Sequence, residues 1–231
     1  LGQTMVILVS SIDLSVATLV SVSAVLASWW MQGATAMMLP ASLYVLAVAV
    51  GVGLVNGWLV TKLRVNALIA TLGTGLILQG ILSASFNNFA GSVPEQFQVL
   101  AYGTIGPVPY SVLLMFGLAL LGWFTLSRTR FGAHVYATGG NLEGARLAGI
   151  KTDRVIVATH VLCSLAAALT GLYLASRLRS GAPWVGRDGV YDLESIAVVV
   201  IGGTALAGGR GGIWGTLAGV IPVGCLDAIF T

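Results

Sequence analysis

An aspartate sits in this chain where charge is expensive to place. In Ser10-Ser11-Ile12-Asp13-Leu14-Ser15 a carboxylate is embedded in an otherwise apolar N-terminal run, and an ionisable side chain at membrane depth normally faces a bundle interior or a water-filled path. Two roles fit Asp13. It can cap a helix restarting at Leu14, which interrupts the helix inside the membrane, or it can meet a permeating solute. Ser15, Thr71, Thr74, Gly202 and Gly203 are the accompanying candidates for a pathway or a helix break. Asn56 and Gln79 suit a pathway or interhelical hydrogen bonds equally well. His134 and His160 stand apart from any cysteine or carboxylate cluster, so His134 reads as a solvated loop residue and His160 as a hydrogen-bonded residue of the bundle. Cys163 and Cys225 lie in apolar stretches as small buried hydrophobes, without metal-ligand spacing. The chain carries no G-x-x-x-x-G-K-[ST], H-E-x-x-H or G-x-S-x-G. Gly208–Gly212 lacks a preceding strand, and Trp214 occupies the place of the third glycine of a phosphate cradle. Catalytic residues, a metal and a cofactor bound by this chain are therefore not expected.

A second constellation lies in the long polar loop between Arg128 and Arg154. Within Tyr136–Ile150, Asn141 is a good N-cap, Glu143 stands in the first turn where it complements the helix dipole, and Gly149 is placed to end the helix. The spacing predicts a short helix presenting Ala145, Arg146 and Ala148, with Gly144 and Gly149 providing close approach. A solvated surface helix has no need of so many small residues. A knob inserted into a groove of a cytoplasmic partner does.

Membrane helices must position these residues. The chain of 231 residues is 57% hydrophobic and only 8% charged, about a third of the charge of a soluble domain. Uncharged stretches Leu14–Thr61, Val65–Pro94, Gln96–Ser127 and Val155–Ser176 each reach the roughly 20 residues that cross the hydrocarbon core. An anchored soluble enzyme, a disordered chain, a disulfide scaffold and a nucleic-acid binder are excluded. The expectation is an all-α, polytopic membrane protein with about seven membrane segments: Met5–Trp30, Ala41–Val60, Ala67–Phe86, a helix from Pro109 to Leu126, Val155–Ser176, a short or re-entrant helix near 195–209, and Gly211–Leu226. Trp29 and Trp30 suit an aromatic belt. Lys62 and Arg64 fall on the same face as Arg128, Arg130, Arg146, Lys151 and Arg154, which places the 128–154 loop in the cytoplasm. Arg177, Arg179 and Arg187 balance Asp188, Asp192 and Glu194 in a predicted outer loop. Gly53 with Gly57, and Gly211 with Gly215 and Gly219, are spaced for close helix packing. The whole of 1–231 reads as a single transmembrane domain, truncated at the N-terminus, with at least one span before Leu1, and ending in mid-helix at Thr231.

Four segments together resemble a known family. Ile12-Asp13-Leu14-Ser15-Val16, Leu68-Ile69-Ala70-Thr71-Leu72-Gly73-Thr74, the loop Thr138–Ile150, and Ile201-Gly202-Gly203-Thr204 followed by Gly208–Gly212, Gly215 and Gly219 are similar to permease subunits of bacterial ATP-binding-cassette importers. The similarity is to the branch serving ribose, xylose, galactosides and other monosaccharides. It implies an inner-membrane protein in which a second permease copy completes the pathway as a homodimer. It also implies a cytoplasmic ATP-binding subunit that holds ATP and Mg, and a periplasmic binding protein that delivers the sugar. The resemblance assigns coupling to the ATPase to Asn141, Glu143, Gly144, Ala145, Arg146 and Gly149. Ala17, Asn66-Ala67 and Gln79 depart from the family's glycine, Pro-Phe and arginine. A branched-chain amino-acid importer permease is the sister reading. An ion-coupled secondary transporter, from a different class, calls for more intramembrane ionisable groups or inverted repeats.

Overall fold

The computed structural model describes residues 1–230, without the side chains of Arg187, Leu226, Asp227, Ala228 and Phe230. Thr231, the predicted mid-helix end, and the predicted pairing of Arg187 lie outside the described residues and side chains. Among the described residues twelve α-helices succeed one another, with a 3-10 turn at Thr35–Met37 ahead of the third: α1 (Gly2–Leu8), α2 (Val16–Met31), α3 (Met38–Thr61), α4 (Ala67–Ser85), α5 (Glu95–Tyr102), α6 (Tyr110–Arg128), α7 (Arg130–Gly140), α8 (Leu142–Leu147), α9 (Thr152–Leu178), α10 (Val185–Asp188), α11 (Tyr191–Ile201) and α12 (Ile213–Phe230). A two-residue hairpin, β1 (Thr104–Ile105) with β2 (Val108–Pro109), precedes α6. Four of the helical segments are long and apolar enough to span a membrane: Thr35–Thr61, Ala67–Ser85, Tyr110–Arg128 and Thr152–Leu178. Val16–Met31 and Ile213–Cys225 are shorter apolar helices.

Helix α9 is the axis of the bundle, with α1, α2 and α3 packed along it. Its most apolar window is 56% buried, against 17% for α6, so α6 presents most of its surface outward. Lipid tails are as apolar as leucine, which leaves close van der Waals contact as the main attraction between spans. Small residues supply it. Gly53 and Gly57 on α3 sit against the α9 backbone at Val161 and Val157, and Gly171 of α9 sits against Val20 and Ser23 of α2. Around these contacts Leu19, Val20, Val45, Ala49, Ala168 and Leu172 form one buried cluster. Pro40 is tolerated in the first turn of α3, where its missing N–H has no helical partner to lose.

Three sequence expectations need correction. The single helix predicted over Met5–Trp30 is two helices of opposite direction. Gly2 abuts Cys163 and Leu8 clusters with Val155 and Ile156, so α1 runs toward the N-terminus of α9. Helix α2 then runs with α9, from Ser15 beside Asp13 to Val25 against Gly181. Secondly, the loop after α4 contains the amphipathic helix α5, which donates the Ala101 N–H to Ser176 Oγ and caps the outer end of α9. Thirdly, the predicted outer loop after α9 does not stay outside. Gly181 packs on Val25 and Gly186 on Ala17, and the Gly186 N–H donates to Ser21 Oγ. The chain therefore descends along α2, and Asp188, Asp192 and Glu194 lie level with its inner half. Two glycines make that descent possible by removing the side chains that would hold it away from α2. The short helix expected at 195–209 is α11, Tyr191–Ile201, and residues 202–212 form a glycine-rich loop.

A Cβ on Gly57 would approach Val157 Cα to 2.7 Å, so Gly57→Leu should force α3 off α9 and lower stability by about 1–3 kcal/mol. Unfolding of the detergent-solubilised protein, followed as SDS is titrated in, measures this. A midpoint equal to wild type contradicts the packing.

Candidate functional site

The reversal between α1 and α2 depends on backbone hydrogen bonding. Helix α1 ends with Ser10 at φ 60, the Ser11 N–H donating to Val6 O at 3.1 Å and the Ser10 N–H to Ile7 O at 2.9 Å. This is the Schellman closure, usually built on glycine. A left-handed serine costs about 1–3 kcal/mol, and here its hydroxyl offsets that cost by donating to Ala207 O at 2.6 Å. The freed Leu8 carbonyl accepts from the Gly209 N–H at 2.9 Å. Further along, the Leu14 N–H donates to Thr71 Oγ1 at 2.9 Å, and the Ser15 N–H to Asp13 Oδ1 at 2.9 Å. Broken backbone persists at membrane depth only when protein or trapped water satisfies its amides. In this break the protein supplies partners for the Ser10, Ser11, Leu14 and Ser15 amides.

Asp13 is the centre of that arrangement and is fully buried. Its Oδ1 also accepts from Ser15 Oγ at 2.6 Å, and its Oδ2 lies 3.2 Å from His160 Nδ1. Asn56 Nδ2 donates to Ser15 Oγ at 2.9 Å and stands 3.5 Å from both carboxylate oxygens. On the far side of the imidazole, Ser11 Oγ lies 3.0 Å from Nε2. With the ring proton on Nδ1, the imidazole donates to Asp13 and accepts from the Ser11 hydroxyl. The sequence separates His160 from Asp13 by 147 positions; His160 is the hydrogen-bonded bundle residue expected, and the fold supplies Asp13 and Ser11 as its partners.

The order Ser11, His160, Asp13 reproduces the connectivity of a hydrolytic triad. Its environment does not. Ser11 is 5% exposed and the other two 0%, leaving the serine oxygen no face for an acyl group to approach. The network ties three elements together: the break, α3 through Asn56, and α9 through His160. Thr71 adds α4. Thr74, by contrast, donates to Ala70 O of its own helix at 3.1 Å. Gly202 packs against Gly215 of α12, and Gly203, at φ 84, closes α11 by a Schellman turn in which the Thr204 N–H donates to Val199 O. Among the described residues, no group of three or more His, Cys, Asp or Glu could hold a metal ion.

The short helix of the 128–154 loop, α8, is built as a capped helix. Asn141 Oδ1 accepts from the Gly144 N–H at 2.8 Å, Glu143 occupies the first turn, and Gly149, at φ 83, ends α8 with the Ile150 N–H donating to Ala145 O at 3.0 Å. One of the predicted contact residues faces inward and another is tethered. Ala145 is 5% exposed, and Arg146, half exposed, is bonded to α9, with Nε donating to Thr152 Oγ1 at 2.9 Å and a terminal nitrogen to Asp153 at 3.1 Å. Lys62, at the end of α3, pairs with the same carboxylate at 3.0 Å, which puts α8 and the ends of α3 and α9 together at one end of the bundle. The tip is apolar: Leu147 is 85% exposed and Leu142 41%. Neither leucine stood out among the small residues of the loop, although a leucine on each side of a hydrophilic turn was the available signal.

Behind the knob, the end of α7 meets the break and the glycine loop. Gly139 touches Leu8 O, and Gly209, at φ 71, lies against Gly140. Tyr136 Oη donates to Gly211 O at 2.9 Å. Burial pushes the tyrosine pKa above its ordinary value, which keeps that donor protonated at neutral and mildly alkaline pH.

His160→Ala deletes the imidazole donor to a buried carboxylate that keeps Ser15 and Asn56, and should cost about 1.5–3 kcal/mol, whereas Ser11→Ala, which deletes one hydrogen bond to the ring, should cost about 1 kcal/mol. SDS-induced unfolding of both variants measures the pair, and equal losses contradict the hierarchy.

Residues 1–231 match a family described as branched-chain amino acid transport system / permease component. The ribose import permease protein of Escherichia coli (strain K12) is 38% identical over 231 residues, covering 98% of this chain and 71% of that protein. The ribose import permease protein of Bacillus subtilis (strain 168) is 38% identical over 235 residues, covering 98% and 70%. The galactose/methyl galactoside import permease protein of Haemophilus influenzae is 32% identical over 240 residues, covering 96% and 71%. No solved structure matches the chain. The apolar helices, the carboxylate-stabilised break and the capped knob thus occur in a chain that belongs to the branched-chain amino acid transport system / permease component family.

Proposed function

We propose that this chain is the membrane-spanning subunit of an ATP-driven importer in the inner membrane, and that it forms the translocation pathway for a monosaccharide. The sugar reading, and not an amino-acid one, rests on the relatives, which are named for import of ribose and galactosides. In this reading a periplasmic binding protein presents the sugar and a second permease copy completes the pathway. ATP and Mg are held by a cytoplasmic ATPase subunit and not by this chain. The outward apolar faces of α4 and α6, where Ile77 is 66% and Leu121 62% exposed, are available to lipid and to that second copy.

The observation that carries the mechanism is the construction of α8. It is capped at both ends, bonded to α9 through Arg146, and ends in exposed Leu142 and Leu147. An apolar tip on a stiff base suits insertion into a groove of the ATPase. Closure of the ATPase on ATP then displaces α8, and two paths carry that displacement inward. Arg146, Asp153 and Lys62 transmit it to α9 and α3, and the Gly139–Gly140 contact transmits it to the break and the glycine loop. The bundle shifts between two packed arrangements as these elements move together. Asp13, Ser15 and Thr71 act in this reading as the scaffold of the break. The sugar passes on the side where Asp188, Asp192 and Glu194 enter the membrane, since ionisable groups at that depth face an aqueous path or a bundle interior.

Glu143→Lys reverses a charge in the first turn of α8. Gly144→Leu crowds the Asn141 cap, where a Cβ already meets Asn141 Cγ at 3.2 Å. Both should lower ATP-dependent sugar uptake at least tenfold in vesicles reconstituted with the ATPase and binding protein, with ATP hydrolysis continuing. Full uptake by both variants would reject a coupling role for α8.

A further inference from the structure

We infer that the cytoplasmic ends of α3, α7 and α9 form a binding site for one anionic phospholipid, seated beside the coupling knob. A groove of about 1070 Å³ runs between α3 and α9, walled by Leu54, Trp58, Phe131 and Val161 and reaching Lys62 and Arg154 at its cytoplasmic end. From Lys62 back to Leu54 the groove follows α3 for about 12 Å at 1.5 Å per residue. That is close to half of the roughly 30 Å hydrocarbon core, the depth of one leaflet. The wall matches an acyl chain in both length and character. Trp58, 51% exposed, stands where interfacial tryptophans collect.

The cytoplasmic end determines the headgroup. Phe131, Arg154 and Ala158 also line an adjoining hollow of about 480 Å³ that contains His134 and Lys151, so the apolar groove opens into a cationic one. Asp153 is the acidic residue lining the groove, and it is already bonded to Lys62 and Arg146. Lys151 and Arg154 form no ion pair among the described residues. An anionic phosphodiester with an uncharged or acidic headgroup complements these cations, and a zwitterionic choline headgroup, which brings a cation of its own, does not. Basic pockets at helix ends on this face of the membrane attract anionic headgroups. Lys151 directly follows Ile150, whose N–H closes the knob, so a bound headgroup also braces the base of α8.

The test uses the purified full-length permease in nanodiscs of equal phosphatidylglycerol and phosphatidylcholine, with retained lipid counted by native mass spectrometry after transfer to detergent. Wild type should hold one phosphatidylglycerol per protomer and little phosphatidylcholine. Lys151→Gln combined with Arg154→Gln should lower that retention at least tenfold. Ala158→Trp, which fills the groove and leaves every cation in place, should do the same. Arg128→Gln, a cation of the same face stacked on Trp123 at 5.9 Å and outside the groove, should retain lipid as wild type does and shows that the loss is local. Equal retention of the two lipids by wild type, full retention by either groove variant, or an equal loss from Arg128→Gln overturns the site. Failure of transport in every variant would instead bear on the importer reading, which this lipid count does not use.

Discussion

A peptide backbone that turns around inside a bilayer must find hydrogen bonds within the protein, and that constraint organises this structure. Between Leu8 and Val16 the helical ladder is interrupted, and the Ser10, Ser11, Leu14 and Ser15 amides are met by Ile7, Val6, Thr71 and Asp13. One of the carbonyls it frees is met by Gly209. A buried carboxylate is a costly way to satisfy an amide, because each ion removed from water loses several kcal/mol of solvation. Asp13 repays that loss only with Ser15, His160 and Asn56 around it. The break therefore fixes where α3, α4 and α9 must stand.

The same constraint operates at both ends of the bundle. At the end near α8, glycine meets glycine at Gly140 and Gly209 and the Tyr136 hydroxyl donates to the Gly211 carbonyl, beside the side-chain pairing of Lys62 and Arg146 with Asp153. At the opposite end the backbones of Ala90 and Gly181 pair and the Ser92 N–H donates to Ser28 O, beside Trp30 stacked on Tyr44 at 4.6 Å and Arg179 over Tyr102 at 5.5 Å. Backbone contacts fix the register at both ends, and aromatic and cationic side chains fill the space around them.

Much of this was legible in the sequence. The spans could be placed because uncharged length is a direct physical requirement of crossing lipid, and the α8 caps because Asn141 and Gly149 have specific backbone roles. The cations grouped Lys62 with the 128–154 loop, and the Lys62–Asp153 pair puts the ends of α3 and α9 together at one end of the bundle. What could not be read was direction. Apolar residues look alike whether a chain passes straight through or turns back, so α1 and α2 merged into one predicted helix and the descent of residues 181–188 passed for an outer loop. The pairing of Asp13 with His160 was missed because sequence distance hides spatial neighbours, although a membrane-embedded carboxylate needs a partner and an ionisable side chain inside a span was an available one. Ala145 illustrates another limit. A small residue at a predicted knob suggested a contact surface, but smallness served equally well for packing inward against its own support.

At Gly139 a joint made of bare backbone becomes exacting. A single methyl group there would run into the Leu8 carbonyl, so alanine, the mildest replacement chemistry offers, is already too large. Anyone probing how α7 leans on the break has, at that position, a perturbation whose smallest step is one carbon atom.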